Sequence, residues 1–219
     1  MNKINLKTES RAIIILLLTI AVSIWAYPQL PAQVASHWDF QGNINGWMGK
    51  DMHSIMFPLI VIGIYLLFLF MPYFDPKKER YTEFAGAYRI MRDAILFMLF
   101  GVFVTATLAN LNYPINVGAV ISALMGLLML VLGNYFGKLK RNWFIGLRTP
   151  WTLSSENVWN KTHRLGGRLF MIWGLLIILA PWLNFQSALV IIFAGIAAII
   201  VGVNVYSFLL FKKEKKEID

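Results

Sequence analysis

The chain contains no cysteine, which excludes disulfides, thiolate metal sites and cysteine nucleophiles at once. Charge is also scarce. Only 14% of the 219 residues are charged, where a soluble domain carries about a quarter. The charge present avoids the apolar blocks, and no Asp, Glu, Lys, Arg or His lies well inside any of them. Charge within a span is the usual mark of an ion or proton pathway, so its absence argues against a proton-coupled pump.

Apolar residues make up 58% of the chain. They gather into six blocks, at about 12–27, 54–74, 94–111, 115–136, 169–185 and 188–211. A helix crossing hydrocarbon needs about 20 such residues, so the blocks predict an all-α polytopic membrane protein with six transmembrane helices. Basic residues precede the first block, as in a secretory signal. Its apolar run is long for one, and Trp25 and Tyr27 suit the membrane interface, so it reads as a retained helix.

Lysine and arginine set the orientation, because acidic residues contribute little to it. Lys3, Lys7 and Arg11 precede the first span, and Lys77, Lys78, Arg80, Arg89 and Arg92 lie between the second and third. Lys138, Lys140, Arg141, Arg148, Lys161, Arg164 and Arg168 lie between the fourth and fifth, and Lys212, Lys213, Lys215 and Lys216 follow the sixth. The opposite side holds only Lys50. Both termini are therefore expected in the cytoplasm. The net charge of +9 is explained by topology, and without a basic helix or aromatic-basic groove no direct nucleic-acid partner is expected.

Small residues recur every four positions at Gly118, Ser122 and Gly126 and at Ala194, Ala198 and Gly202, a spacing that suits close helix packing within the chain. Asn134 and Asn204 are polar residues near span ends, expected to bond neighbouring helices.

Two loops are too long and patterned to be plain connectors. The external one, 28–53, mixes Pro31, Gly42, Gly46 and Gly49 with Trp38, Phe40 and Trp47. Glycine and asparagine permit tight turns, and the aromatics need the interface or each other, so a compact structure resting on the membrane is expected. His37, Asp39, Asp51 and His53 have no spacing that demands a metal.

The cytoplasmic loop, 137–168, is denser. Ser154 reads as the N-cap of a short amphipathic helix between spans four and five, with Glu156 in its first turn. Val158, Trp159, Thr162 and Leu165 form its apolar side, and Gly166 and Gly167 end it before the fifth span. Such a helix would lie in the inner interface. Arg148-Thr149-Pro150-Trp151-Thr152 holds an arginine beside an indole on a rigid turn. It suits either an anionic or peptide partner or anchoring to lipid headgroups. His163 has no partner that signals a catalytic triad, so no enzyme activity is expected.

The stretch comprising Gly133, Asn134, 142–153 (including Asn142, Gly146, Arg148 and Thr149), Val158, Trp159 and 161–167 (including Thr162, His163 and Gly166) strongly resembles the SdpI family. These are bacterial membrane proteins named for immunity to the sporulation-delaying-protein toxin. Pro31, His37, Gly42, Gly46, Trp47 and Lys50 resemble an N-terminal domain of unknown function that often precedes it. The resemblance implies one membrane domain in the bacterial cytoplasmic membrane, with N-terminal spans over 12–111 and SdpI-like spans over 115–211. It implies no cofactor and no catalysis. It also implies two roles: protection against a secreted peptide toxin, and retention of a transcriptional repressor at the membrane. The external loop would then meet the peptide, while a small transporter or flippase is the competing expectation.

Overall fold

The computed structural model describes residues 5–39 and 42–218; Lys3 and Phe40 lie outside them. Its elements run α1 (Leu6–Ala26), β1 (Gln33–Trp38), β2 (Ile44–Gly49), α2 (Lys50–Phe74), α3 (Ala85–Asn110), α4 (Val117–Phe136), α5 (Pro150–Ser154), α6 (Glu156–Leu179) and α7 (Phe185–Ile218). All the helices except α5 are long and apolar enough to cross a membrane, six in number. This is a multi-pass membrane protein. The helices alternate in direction, which leaves a terminal end, with the starts of α1, α3 and α6 and the end of α7, and a hairpin end. Ser155 bonding Glu214 and Arg80 bonding Glu156 tie the terminal end together.

The tightest helix contact is α4 against α6. A Cβ on Gly133 would stand 2.5 Å from the Gly167 carbonyl oxygen, and one on Gly167 would stand 2.5 Å from that of Gly133. Two helical turns away, Gly126 and Gly174 meet in the same reciprocal way, at 2.5 and 2.7 Å. Two antiparallel helices thus touch backbone to backbone at both points, as small residues allow in lipid. Gly118, expected in this stripe with Ser122, is not part of the contact: its Cβ would meet only Asn116 Oδ1, at 3.6 Å. The stripe expected in the last span is also displaced. The face of α7 that buries Ile199, Val203 and Ser207 leaves Ala194 and Ala198 exposed.

Four expectations change. First, α6 starts at Glu156, so the interfacial helix expected over 154–165 is the opening of the fifth span itself. Its N-cap is Ser155, which accepts the Val158 N–H at 3.3 Å. Gly166 and Gly167 do not stop it, because they serve packing: a Cβ at Gly166 would collide with Leu147. The short helix between spans four and five is instead α5, capped by Thr149 through a capping box with Thr152.

Second, the external loop forms an antiparallel hairpin, β1 with β2. It turns at Gly42, whose φ is +87°, a value that glycine adopts without cost. A register shift between Ala35 and His37 forces Gly46 against His37, where a Cβ would lie 2.8 Å away.

Third, α1 to α3 extend beyond their apolar blocks and carry buried polar groups. Arg92 in α3 is 2% exposed and bonds Glu9 of α1 at 2.5 Å and Asp93 at 2.9 Å. Arg11 reaches Asp93 at 3.5 Å, and the Tyr65 hydroxyl donates to Glu9 at 3.3 Å. Arg92 is therefore part of a buried ion-pair cluster tying three helices. It is not a loop residue: α3 begins before its apolar block, and the charges lie in that added length, outside the blocks themselves. Fourth, His53 of α2 is buried with its Nε2 3.0 Å from Thr107 Oγ1.

Three substitutions test this packing. Gly133→Ala should destabilise the protein by about 1–3 kcal/mol, because the backbone must part. Gly118→Ala should cost nothing measurable; thermal unfolding in detergent compares them. Arg92→Leu leaves the buried Glu9 carboxylate without its cation and Asp93 with only the exposed Arg11, and should cost about 3–5 kcal/mol, lowering the unfolding temperature and the level of protein in membranes.

Candidate functional site

The α4–α6 contact fixes where the chain must go next. Beyond Gly133, Phe136 packs edge-on to Phe170 of α6, and the chain folds back over α6 through residues 137–149. Leu139 is buried under this fold, and its carbonyl accepts the Trp159 indole N–H at 2.8 Å. Trp159 in turn stacks on His163, with ring centroids 4.0 Å apart.

His163 is the pin of the arrangement. Its Nε2 lies 2.9 Å from the Leu147 backbone nitrogen, and its Nδ1 lies 2.8 Å from the Trp159 carbonyl. An amide can only donate and a carbonyl can only accept. Nε2 is therefore the acceptor and Nδ1 carries the hydrogen, which makes the ring a neutral imidazole with both nitrogens engaged. Such a ring staples the loop to α6 and has no free nitrogen to act as a general base. Gly146 comes hard against it with φ +104°, where any Cβ would strike Nε2.

Asn142 organises the loop from inside. Its amide nitrogen donates to the carbonyls of Lys140 and Ile145 at 2.9 and 3.1 Å, and its oxygen accepts the N–H groups of Phe144 and Ile145 at 2.9 and 2.8 Å. All four of its hydrogen-bonding valences are thereby used within the turn. Thr152 accepts the Thr149 N–H at 2.8 Å and donates to Leu147 O at 3.0 Å. Thr149 donates to Ser207 of α7 at 3.0 Å. We call this assembly the latch.

The structure thus brings Asn142, Gly146, Thr149, Thr152, Trp159, His163 and Gly166 together in one buried network. Thr162 is buried beside it, with no hydrogen-bond partner for its hydroxyl. Trp151 packs on Phe208 of α7 at 5.2 Å, and Pro150 opens α5 at the surface. Arg148 is exposed and donates to the Trp143 carbonyl at 2.7 Å, with Trp143 and Phe144 exposed near it. Asn134 is exposed.

Sequence reasoning missed Asp75, at the end of α2. It is buried, and it accepts the Trp143 N–H at 2.9 Å, the Tyr81 hydroxyl at 3.0 Å and the Lys77 N–H at 2.7 Å. Burial and the Asp75 carboxylate push the Tyr81 hydroxyl far above the ordinary tyrosine range. Asp75 therefore joins the α2–α3 connection to the latch, and Arg80 reinforces it through paired bonds to Glu156 at 2.6 and 2.9 Å. An acidic residue directly before Pro76 at the end of an apolar block was the available signal.

At the hairpin end, Gly42 and Gly46 shape the turn and the register shift, and Pro31, His37 and Trp47 are exposed. Lys50 lies 4.7 Å above the Tyr27 ring, and Tyr27 donates to Asp51 at 2.6 Å. Trp38, Gly42 and Ile44 face the α3–α4 turn across an open cleft of about 510 Å³. Among the described residues, no three His, Cys, Asp or Glu side chains gather as a metal site.

The segment that builds the latch and its contact with α7 is also the segment that matches a family model, that of the SdpI/YfhL protein family, over residues 138–207. Residues 14–62, which hold most of α1, the hairpin and half of α2, match a domain of unknown function, DUF1648. The chain is 24% identical over 209 residues to the immunity protein SdpI of Bacillus subtilis (strain 168), covering 95% of this chain and 98% of that one. No solved structure matches. The SdpI/YfhL segment begins at the loop that folds back over α6 and ends at Ser207, the residue on which Thr149 closes.

The latch yields a contrast. His163→Ala strands the buried Leu147 N–H and opens a void beneath Trp159, so it should cost at least about 1–3 kcal/mol. Arg148→Ala removes an exposed side chain and should stay within about 0.5 kcal/mol of the wild type. Chemical or thermal unfolding of the two purified variants measures the difference.

Proposed function

We propose that this chain is a membrane immunity protein of a bacterial cytoplasmic membrane, protecting its host cell from a secreted antimicrobial peptide. The observation that carries the reading is the likeness to the immunity protein SdpI along nearly the full length of both chains. The hairpin end faces outward and meets the peptide, and both termini are cytoplasmic. The lysine and arginine asymmetry, with Lys50 alone on the hairpin side, supports that orientation.

In this reading the two ends divide the work. The hairpin end offers exposed apolar and backbone groups with little charge, which suits a peptide arriving at the membrane surface. The terminal end offers a rigid loop whose outward groups are Arg148, Trp143 and Phe144. A cytoplasmic transcriptional repressor, held at the membrane, is the partner proposed for that face. Because the latch, Asp75 and the Arg80–Glu156 pair bind the loop to both α6 and the α2–α3 connection, the face is fixed in shape.

Survival tests the function. Expressed in a peptide-sensitive strain that lacks its own immunity genes, the chain should raise survival under secreted peptide above the empty vector. Unchanged survival across a panel of such peptides contradicts the reading. Orientation is tested separately, using the absence of native cysteine. Ala32→Cys should react with a membrane-impermeant maleimide in intact cells, whereas Lys216→Cys should react only after lysis; the reverse pattern inverts the topology.

A further inference from the structure

The hairpin has two edges, and the structure treats them differently. On the β1 side, Asn110 of α3 closes the edge: its side-chain oxygen accepts the Ala35 N–H at 2.6 Å, and its nitrogen donates to the Ala35 carbonyl at 2.9 Å. Both backbone groups of Ala35 therefore point away from β2. Ala35 pairs with Trp47, so the two form a pair without mutual hydrogen bonds, and Trp47 must direct its own N–H and C=O away from β1. Asn110 thus does for Ala35 what a third strand would do. Trp47 is the mirror-image position, and among the described residues no side chain caps it.

Other features of β2 agree. Native edge strands are commonly blunted by charge, proline or a cover. Ile44–Gly49 contains neither a charged residue nor proline. The indole of Trp47 is 60% exposed and Ile44 is 45% exposed, so apolar surface flanks the open backbone groups.

We propose that the outer edge of β2 is a docking strand for an extended, uncharged peptide segment. The segment adds as a third strand, exchanging hydrogen bonds with the Trp47 backbone and laying an apolar side chain on its indole. Strand addition of this kind draws affinity from the main chain and specificity from alternate side chains. The inference names the contact used in the proposed peptide recognition, and it rests on that reading for the natural peptide's identity.

The test uses the full chain in lipid nanodiscs and a fluorescein-labelled hexapeptide of alternating valine and threonine, followed by anisotropy. Saturable binding is expected. Trp47→Phe should bind comparably, while Trp47→Pro, which removes the outward N–H at a position where an edge tolerates proline, should weaken binding by about tenfold. A fully N-methylated copy of the peptide should not bind the wild type, a control that does not depend on the proline variant folding. Absence of binding to the wild type, equal binding of the methylated peptide, or dimerisation of the chain through β2 each overturns the proposal. A chain that protects cells yet fails here loses only the docking strand. A chain that binds here yet protects against nothing loses only the immunity reading.

Discussion

The reciprocal contact of α4 and α6 at Gly133–Gly167 and Gly126–Gly174 governs the terminal half of this molecule. Lipid offers helices no hydrophobic drive to associate, so close backbone approach and internal polar bonds must supply it. With the two helices touching at Gly133, the chain leaving α4 has to turn directly over the first turns of α6. Those turns carry Trp159 and His163, and their ring stack becomes the floor on which residues 137–149 are laid. Side chains at either glycine would separate the helices and lift that floor.

From this geometry the polar residues of the loop acquire their purpose. Where this connection is laid against α6, around the buried Leu139, Asn142 and Thr149, an amide or carbonyl left unpaired is costly. Asn142 meets four of them, His163 one N–H and one carbonyl, and Thr149 and Thr152 the rest of the turn. The most distinctive motif of the chain is thus chiefly a folding device. It holds α5, α6 and α7 in one unit and, through Asp75, fixes the α2–α3 connection to it. The Glu9–Arg92–Asp93 cluster does comparable work among α1 to α3. Outward groups beside the motif and the hairpin stay available to partners, among them Arg148, Trp143 and Phe144 at one end and Trp47, Ile44 and His37 at the other.

Much of this is legible in the sequence. Six spans follow from the length of six apolar blocks, and the position of the motif residues was evident from their density. Their roles were not, because an asparagine or histidine that satisfies backbone groups looks, in sequence, like one offered to a ligand. Two glycines at 166–167 read as a helix stop, since glycine disfavours helix unless a neighbouring backbone requires it; the partner at Gly133 is more than thirty residues away. Arg92 and Asp93 sit at the boundary of an apolar block, where charge ordinarily marks a membrane edge, and only the distant Glu9 reveals burial. The hairpin escaped because its glycines and the register shift at Gly46 break the alternation that identifies a strand.

Amide hydrogen exchange of residues 138–155, in the full chain held in nanodiscs, measures most directly whether the latch is a buried, closed structure. A closed latch predicts that the N–H groups of Phe144, Ile145, Leu147, Thr149 and Thr152 exchange as slowly as those in the interior of α6. Exchange at the rate of an open loop, with α6 still protected, would contradict it and return the motif to the role of a freely accessible binding segment.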